Sequence, residues 1–368
     1  MYKLCAVFPF WTAILLSTLL LPQIGSAHNS PAATADYAEP VPRYTTQDIK
    51  DRLSHISSVL DLRYTPEVGR RIKEYTVSYR VAGERILGKV DLYFPLFENE
   101  IALRNLPQEL KYVAVVESHL DPLAMSKSGA AGLWQFMQST ARIHGLTIND
   151  YIDERKNPEK ATKAALEFLS DLYDQFGDWT LAVAAYNCGP GGVKKAMRRS
   201  GAKDYWGMRK YLPKETQKYV PRIIAAIYLM QYYHEHNLNP LQVNPQMKFK
   251  QEITNGRHHK FSDLSKVLGV DESVLVRLNA QYTRGNIPVN KGSLSLNIPK
   301  ESYETYLERY DNEAYKNMLA ERREEEFKSI EAEMIESRKV MQIAMVDRLI
   351  IDKIRPKRRK KVYYTKFS

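Results

Sequence analysis

The feature that most constrains the fold is helical periodicity over residues 95–235, divided into segments by Gly and Pro. The segment 158–176, "PEKATKAALEFLSDLYDQF", begins with proline and is followed by Gly177, as helices often begin and end. One stripe of it carries Ala165, Leu169, Leu172 and Phe176. "DWTLAVAAYN" predicts another helix from Asp178, and "CGPGG" predicts its end. Helices that each bury one face predict a mainly α domain.

Charge and the N-terminal segment limit the class of partner. The 368 residues include 54 Lys and Arg against 43 Asp and Glu, a net charge of +11. Residues 1–27 predict a secretory signal, with Lys3 before an apolar stretch and small residues near a cleavage point at Ala27. An uncleaved anchor is the alternative. A basic exported protein predicts an anionic polymer outside the cytoplasm as partner, and not nucleic acid.

Cysteine content argues against a disulfide framework. Cys5 would leave with the signal, so Cys188 would be the one cysteine of the mature chain. Outside the signal, no run of about 18 apolar residues predicts a membrane span.

Composition divides the rest of the chain. The predicted segments are a signal at 1–27, a linker at 28–44, an N-terminal helical region at 45–94, the main helical domain at 95–235, a small module at 245–300 and a charged helical tail with a basic end at 301–368. The N-terminal region is predicted to begin with a helix carrying Ile49, Leu53, Ile56 and Leu60, and no chemistry is predicted there. The module is predicted as strand, helix, helix, strand.

The tail has the pattern of a charged helix that is either solvated or packed against a partner. The basic run 353–361 is typical of a solvated end, and electrostatic contact with an anionic envelope surface is the alternative hypothesis. The sequence makes no prediction of oligomeric state.

Glu117 is the candidate for chemistry. Leu106, Leu110, Val113 and Glu117 follow one another at helical steps, which places the carboxyl on an apolar stripe. Asp121-Pro122 predicts the end of this helix, so the carboxyl would lie at the negative end of the helix dipole. Burial and the dipole both raise a carboxyl pKa, and a protonated acid near neutral pH suits general acid catalysis. A structural glutamate at a helix end is the alternative.

Four motifs in fixed order extend this hypothesis: "ESHLDP", "SGAAGLWQFM", "AAYNCGPG" and "ETQKYV". Together they resemble the soluble-type lytic transglycosylase (SLT) family, whose relatives share the goose-type lysozyme fold. "GLWQF" and the preceding helices look most like the membrane-bound lytic transglycosylase D branch. The resemblance implies a helical domain with a cleft, no cofactor, and peptidoglycan glycan strands as substrate. It implies cleavage between N-acetylmuramic acid and N-acetylglucosamine that leaves a 1,6-anhydro end.

The resemblance also implies roles for individual residues. Glu117 matches the single catalytic acid/base. The substrate-binding positions of the family match Ser118, Ser126, Gln135, Met137, Tyr186, Asn187 and Tyr219. Trp134 replaces a usual methionine and is expected to alter a sugar-stacking surface, and Cys188 replaces a common alanine.

A single acid also agrees with the carboxylates near Glu117. Two-carboxylate glycosidases hold their acids about 5–9 Å apart. Asp121 is predicted to serve a turn, while Asp153 and Glu154 are predicted to lie in a helix entry with salt bridges. One carboxyl can still protonate the leaving oxygen and then accept the proton of the sugar C6 hydroxyl. Two alternatives remain: a lysozyme-like hydrolase on the same fold, and a non-catalytic scaffold that only binds cell wall.

The module resembles a divergent LysM domain, a peptidoglycan-binding fold, through "VLVRLNAQY" and "LSLNIP". The usual Gly-Asp-Thr opening is replaced by "TNGRHHKFSD". Glycan binding and an interface role are therefore both open for residues 245–300. The histidines, including His119 and the His258-His259 pair, do not have the spacing of a zinc site, so no metal is predicted.

Overall fold

A computed structural model describes residues 41–254, 257–288 and 294–354, with side chains described as far as residue 345. The predicted signal peptide, most of the linker and the basic residues from 355 onward lie outside the described residues. Within the described part, no helix is both long and apolar enough to cross a membrane.

Helices dominate the described chain, so the predicted mainly α fold class is confirmed. The helices are α1 Thr46–Ser54, α2 Pro66–Lys73, α3 Arg80–Leu103, α4 Lys111–Ser118, α5 Gln138–Ile143, α6 Pro158–Phe176, α7 Trp179–Ser200, α8 Tyr205–Met208, α9 Thr216–Tyr232, α10 Phe261–Leu268, α11 Glu272–Leu278, α12 Tyr303–Tyr310 and α13 Asn312–Ile354. A π-helical segment, Glu74–Ser78, lies between α2 and α3. The strands are β1 Lys250–Thr254, β2 His259–Lys260, β3 Asn286–Ile287 and β4 Ser295–Pro299.

The helix ends follow local capping chemistry. The Asn157 side chain accepts from the backbone N–H of Lys160 at the start of α6, and Gly177 ends that helix with φ 65°. The Asp178 side chain caps α7 in the same way. The break predicted at "CGPGG" lies inside α7, where Gly189 has φ 76° and ψ 154° and interrupts the helix.

The helix predicted to carry Ile49, Leu53, Ile56 and Leu60 is shorter than expected. α1 ends at Ser54, although Leu60 is still buried. Beyond α1 the backbone N–H of Val59 donates to the Glu109 carboxylate at 3.0 Å. The next residue but one, Asp61, donates its N–H to the Thr180 hydroxyl at 3.3 Å. Tertiary hydrogen bonds therefore replace the helical ones.

The N-terminal region and the main helical domain share one hydrophobic core. α2 and α4 both pack against α9, and α6 packs against α7. Ile72 of α2, Val113 of α4 and Ile224 of α9 are fully buried in the same cluster. The predicted boundary at 94/95 falls inside α3. These two predicted segments are therefore one packed helical block, residues 46–238.

The module has its own core. β1 pairs antiparallel with β4, and β2 pairs antiparallel with β3. α10 and α11, which lie between β2 and β3 in sequence, pack against each other. The predicted order of strand, helix, helix, strand corresponds to β1, α10, α11 and β4. Tyr306 and Leu307 of α12 are buried in the module's core, so the module extends past the predicted boundary at residue 300.

Candidate active site

Glu117 occupies the last turn of α4, which ends at Ser118. His119 and Leu120 follow in the left-handed region, with φ 52° and 56°. The chain therefore turns away before Asp121-Pro122, two residues earlier than predicted. The Ser118 hydroxyl donates to the Leu133 carbonyl at 2.8 Å and accepts from the Asp121 N–H at 3.2 Å. Ser118 thus fixes the turn that follows the acid.

The carboxyl of Glu117 is held by a tyrosine from α9. The Tyr219 hydroxyl donates to Oε1 of Glu117 at 2.5 Å, and Tyr219 itself is buried. Burial raises the pKa of Glu117 to about 7, although the Tyr219 hydrogen bond and Arg222 act in the opposite direction. The Glu117 carboxyl is thus about half protonated near neutral pH. Such a group can donate a proton and later accept one.

Two cavities meet at Glu117 and form one cleft. The first arm has a volume of about 610 Å³, and the second arm has a volume of about 290 Å³. Glu117, Ser126 and Gln135 line both arms. The carboxyl therefore lies where a chain-like substrate would pass from one arm into the other.

The predicted site residues all lie in this cleft or contact its acid. Ser118 lines the first arm, while Met137, Tyr186 and Asn187 line the second. Tyr219 contacts Glu117 from α9 through its hydroxyl. Four segments distant in sequence are brought together in this way.

Several of these side chains are themselves fixed by hydrogen bonds. The Tyr186 hydroxyl donates to the Trp134 carbonyl at 2.7 Å. The side-chain Oδ1 of Asn187 accepts from the Thr216 hydroxyl at 2.8 Å. The Gln135 side-chain amide donates to the Gly132 carbonyl at 2.9 Å, and Gln135 has φ 49°. The cleft is thus preorganised by its own backbone and side chains.

Sequence reasoning missed the N-terminal wall of the first arm. Arg71, Glu74, Tyr75 and Tyr79 line it, although no chemistry was predicted for their region. They reach the cleft because α2 packs on α9 and the π-helical segment follows α2 directly. Two tyrosines within five residues were the available signal, but only the packing of α2 reveals their position.

Other carboxylates near the acid are engaged in ion pairs. Asp121 contacts Arg277 at 3.0 Å, and Asp153 contacts Arg155 at 2.8 Å. Glu154 contacts Lys160 and accepts from the Thr147 N–H at 2.7 Å. The helix entry with salt bridges predicted for Asp153 and Glu154 is therefore present.

Glu74, the carboxylate in the first arm that the sequence did not single out, is also paired. It contacts Arg71 at 2.8 Å and Arg70 at 3.0 Å. Glu117 differs from these carboxylates because its Oε1 accepts a hydrogen bond from the neutral hydroxyl of Tyr219.

The sugar-stacking role expected for Trp134 is wrong. Its side chain has no exposed surface, and its Nε1 donates to the Thr162 hydroxyl at 3.0 Å. The indole packs against Phe97, with ring centroids 5.2 Å apart. Trp134 therefore fills the core behind the cleft and contributes only its carbonyl, which accepts from Tyr186.

Gly132 serves a close approach within the protein. A Cβ at this position would lie 1.8 Å from the Arg155 carbonyl oxygen. The backbone near Arg155 therefore occupies the space beside Gly132. Among the described residues, no group of three or more His, Cys, Asp or Glu side chains could hold a metal ion.

The module is docked on the helical block close to the acid. The Asp153 N–H donates to the Gln281 carbonyl at 2.8 Å, and the Thr283 N–H donates to the Tyr151 carbonyl at 3.1 Å. Ile152 of the helical block is buried in the module's core. Residues on α11 and β1 add the Arg277–Asp121 and Lys250–Glu159 ion pairs. The module therefore forms an interface with the helical block.

Comparison with known proteins found one matching family model and several related sequences. Residues 95–208 match the family model "Transglycosylase SLT domain". The chain is 39% identical over 142 residues to the membrane-bound lytic murein transglycosylase D of Escherichia coli K12, covering 37% of this chain and 31% of that protein. It is 44% identical over 84 residues to the peptidoglycan transglycosylase gp16 of Escherichia phage T7, covering 22% of this chain and 6% of that protein.

Among solved structures, the 70-kDa soluble lytic transglycosylase of Escherichia coli is 27% identical, with a TM-score of 0.33, and the match covers 41% of this chain and 26% of that chain. The chain thus spans about a third of the E. coli transglycosylase D and less of the others. The family match contains Glu117 and six of the seven predicted substrate-binding residues, and Tyr219 follows it. Residues 95–208 therefore belong to the transglycosylase SLT domain family, as the four motifs predicted.

Proposed function

We propose that this protein is an exported peptidoglycan lytic transglycosylase with Glu117 as its single acid/base. The observation that carries the proposal is the Glu117 carboxyl, which lies at the meeting point of two cleft arms with a pKa raised by burial to about 7. The murein and peptidoglycan substrates named for the relatives support the substrate class. Export is supported by the sequence pattern of residues 1–27.

The reaction proceeds in two proton transfers. Protonated Glu117 donates its proton to the glycosidic oxygen, and the bond from C1 of N-acetylmuramic acid to that oxygen breaks. The N-acetyl carbonyl oxygen of the same sugar stabilises C1. The Glu117 carboxylate then takes the proton of the C6 hydroxyl while the C6 oxygen bonds to C1. The product carries a 1,6-anhydro ring, no water is consumed, and Glu117 is protonated again.

The remaining cleft residues position the substrate. Tyr219 orients the carboxyl through its hydroxyl, so that the other oxygen of Glu117 is free to hold the transferred proton. Hydroxyl and amide groups of Ser126, Gln135 and Asn187 are available to contact sugars in the two arms. The ion pairs of Asp121, Asp153 and Glu154 support a mechanism without a second protein carboxylate.

The decisive experiment is mass spectrometry of muropeptides released from purified peptidoglycan by the wild type and Glu117→Gln. We expect the variant to fold and to lose about 10²–10⁴-fold in the rate of release of anhydro-muropeptides, the usual contribution of general acid catalysis. Glu167→Gln is the matched control, because Glu167 is an exposed glutamate on α6.

Three results would contradict the proposal. Near-normal release by Glu117→Gln would remove Glu117 from the mechanism. Products with reducing ends would identify a lysozyme-like hydrolase. Sacculus binding without turnover by the wild type would favour a non-catalytic scaffold. Sequencing the N-terminus of the exported protein tests cleavage near Ala27 separately.

A further inference from the structure

The long helix α13 presents an apolar stripe to solvent. Its exposed apolar residues at helical spacing are Phe327 (76%), Ile330 (51%), Met334 (58%), Met341 (72%) and Met345 (68%). Steps of three, four, seven and four keep these side chains on one face, in the manner of a coiled-coil seam. The first turns of α13 differ, because Tyr315 and Met318 pack against the module. The exposed stripe therefore begins only where the helix leaves the module.

Charge is distributed unevenly along the same helix. Residues 321–336 contain seven glutamates and three basic residues, whereas residues 337–354, up to the end of the helix, contain four basic residues and two aspartates. Some of the exposed charges pair within the helix, as Lys328 does with Glu324 at 2.8 Å. The first half nevertheless keeps a net negative charge and the second a net positive charge. Such a helix is complementary to a copy of itself only when the two run in opposite directions.

We propose that α13 is a dimerisation surface that binds α13 of a second copy in antiparallel orientation. In the register that centres the pair near Glu336, Phe327 of one chain lies beside Met345 of the other, and Ile330 lies beside Met341. The same register brings the acidic half of each helix beside the basic half of its partner. The residues from 321 to about 351 overlap, which corresponds to roughly 45 Å of helix.

Other occupants fit the stripe less well. A parallel pair would place seven glutamates beside the same seven glutamates, and like charges at such positions are unfavourable. An anionic membrane surface would repel the glutamates that flank Phe327 and Ile330. The linker, residues 28–44, has three prolines and small polar residues and does not have the composition of a helix that could cover the stripe.

The first test is the molar mass of the full mature chain in solution, measured by light scattering at micromolar concentration and low salt. We expect a dimer whose Kd rises with salt, because exposed charges contribute to the pairing. Met341→Asp places a charge in the seam and is expected to raise the Kd at least about tenfold. Ile143→Asp is the matched control, because Ile143 is 79% exposed on α5, and it should leave the Kd unchanged.

Orientation is tested by disulfide formation in a Cys188→Ala background. An equal mixture of Phe327→Cys and Met345→Cys chains should cross-link mainly to each other in the antiparallel dimer. Cross-links of Phe327→Cys chains to one another would indicate a parallel pair and overturn the proposed orientation. A monomer at all concentrations would overturn the dimer. A monomer that instead binds anionic phospholipid vesicles would assign the stripe to a membrane surface.

Discussion

Two phenylalanines show how differently this chain uses apolar helix faces. Phe97 on α3 has no exposed surface and packs against Trp134, whereas Phe327 on α13 is 76% exposed. The same contrast separates α4, with its buried Val113, from the stripe of α13. In the helical block, burial by neighbouring helices changes chemistry, because it raises the pKa of Glu117 to about 7. On α13 the apolar face has no such cover from the described residues, so its role depends on another molecule.

The largest expected effect lies in the helical block. Phe97→Ala should lower the free energy of unfolding by about 3–5 kcal/mol, because it leaves a cavity behind Trp134. Urea denaturation followed by circular dichroism measures this change. A loss below about 1 kcal/mol would mean that the core behind the cleft repacks freely and that the contrast with α13 is smaller than the exposures indicate.

The second prediction uses the protonation of Glu117. The rate at low substrate concentration should fall about tenfold per pH unit above pH 7, because the acid form of Glu117 is lost. Tyr219→Phe removes a hydrogen bond that lowers the pKa of Glu117, so the alkaline limb should move to higher pH. Initial rates of anhydro-muropeptide release between pH 5 and 9 measure the alkaline limb of the wild type and of Tyr219→Phe. A limb that moved to lower pH in Tyr219→Phe would contradict the assigned hydrogen bond.

The same pKa affects stability in a defined direction. The folded protein holds the Glu117 proton more tightly than the unfolded chain, in which a glutamate pKa is about 4.3. The associated stability is complete below that pH and is lost as pH rises through about 7. Glu117→Gln should therefore raise the free energy of unfolding relative to wild type at pH 8, by about 1–2 kcal/mol after allowance for the cleft's access to solvent. At pH 4 the two proteins should differ little, and a gain as large there as at pH 8 would contradict the linkage.

A smaller effect is expected where the module meets the helical block. Arg277 and Asp121 are each about one-third exposed, so their ion pair should contribute roughly 0.2–1 kcal/mol. A double-mutant cycle with Arg277→Ala and Asp121→Ala measures the coupling in the free energy of unfolding. A coupling of several kcal/mol would indicate that the module holds the turn after Glu117 much more tightly than a partly solvated pair allows.

The smallest effect should come from the exposed helix. Phe327→Ala should change the free energy of unfolding by no more than about 0.5 kcal/mol in dilute, monomeric protein, because the side chain contacts little there. Comparison with Phe97→Ala under the same conditions sharpens the contrast between the two regions. A loss comparable to that of Phe97→Ala would mean that α13 packs on the same chain in solution.

Local patterns in the sequence predicted the helices and the raised pKa of Glu117 well. The stripe through Leu110, Val113 and Glu117 depends on residues within three turns. Leu110 and Val113 are fully buried and Glu117 is half-buried, as the spacing predicted. Capping signals such as Asn157 and Gly177 also act over a few residues. The four ordered motifs indicated the family, because a motif series is specific even when each member is short.

Features that depend on tertiary packing could not be predicted in this way. Tyr75 and Tyr79 line the cleft only because α2 packs on α9, a contact between residues about 150 apart in sequence. Trp134 was expected at a sugar-stacking surface, but it lies in the core, since a conspicuous aromatic in a motif does not reveal which side of the backbone faces the cleft. The predicted end of the module at residue 300 was wrong for the same reason, because Tyr306, which follows β4 in sequence, is buried in the module's core.

The course of α3 has a practical consequence for protein engineering. A fragment cut at the limits of the family match, residues 95–208, would begin in the middle of this helix and would omit both α9 and the tyrosines of the first arm. Glu117 would then lose Tyr219 and much of its apolar surroundings, and its carboxyl would titrate more like that of a free glutamate. The smallest transplantable unit is therefore longer than the recognisable motif region and runs from α1 to the end of α9.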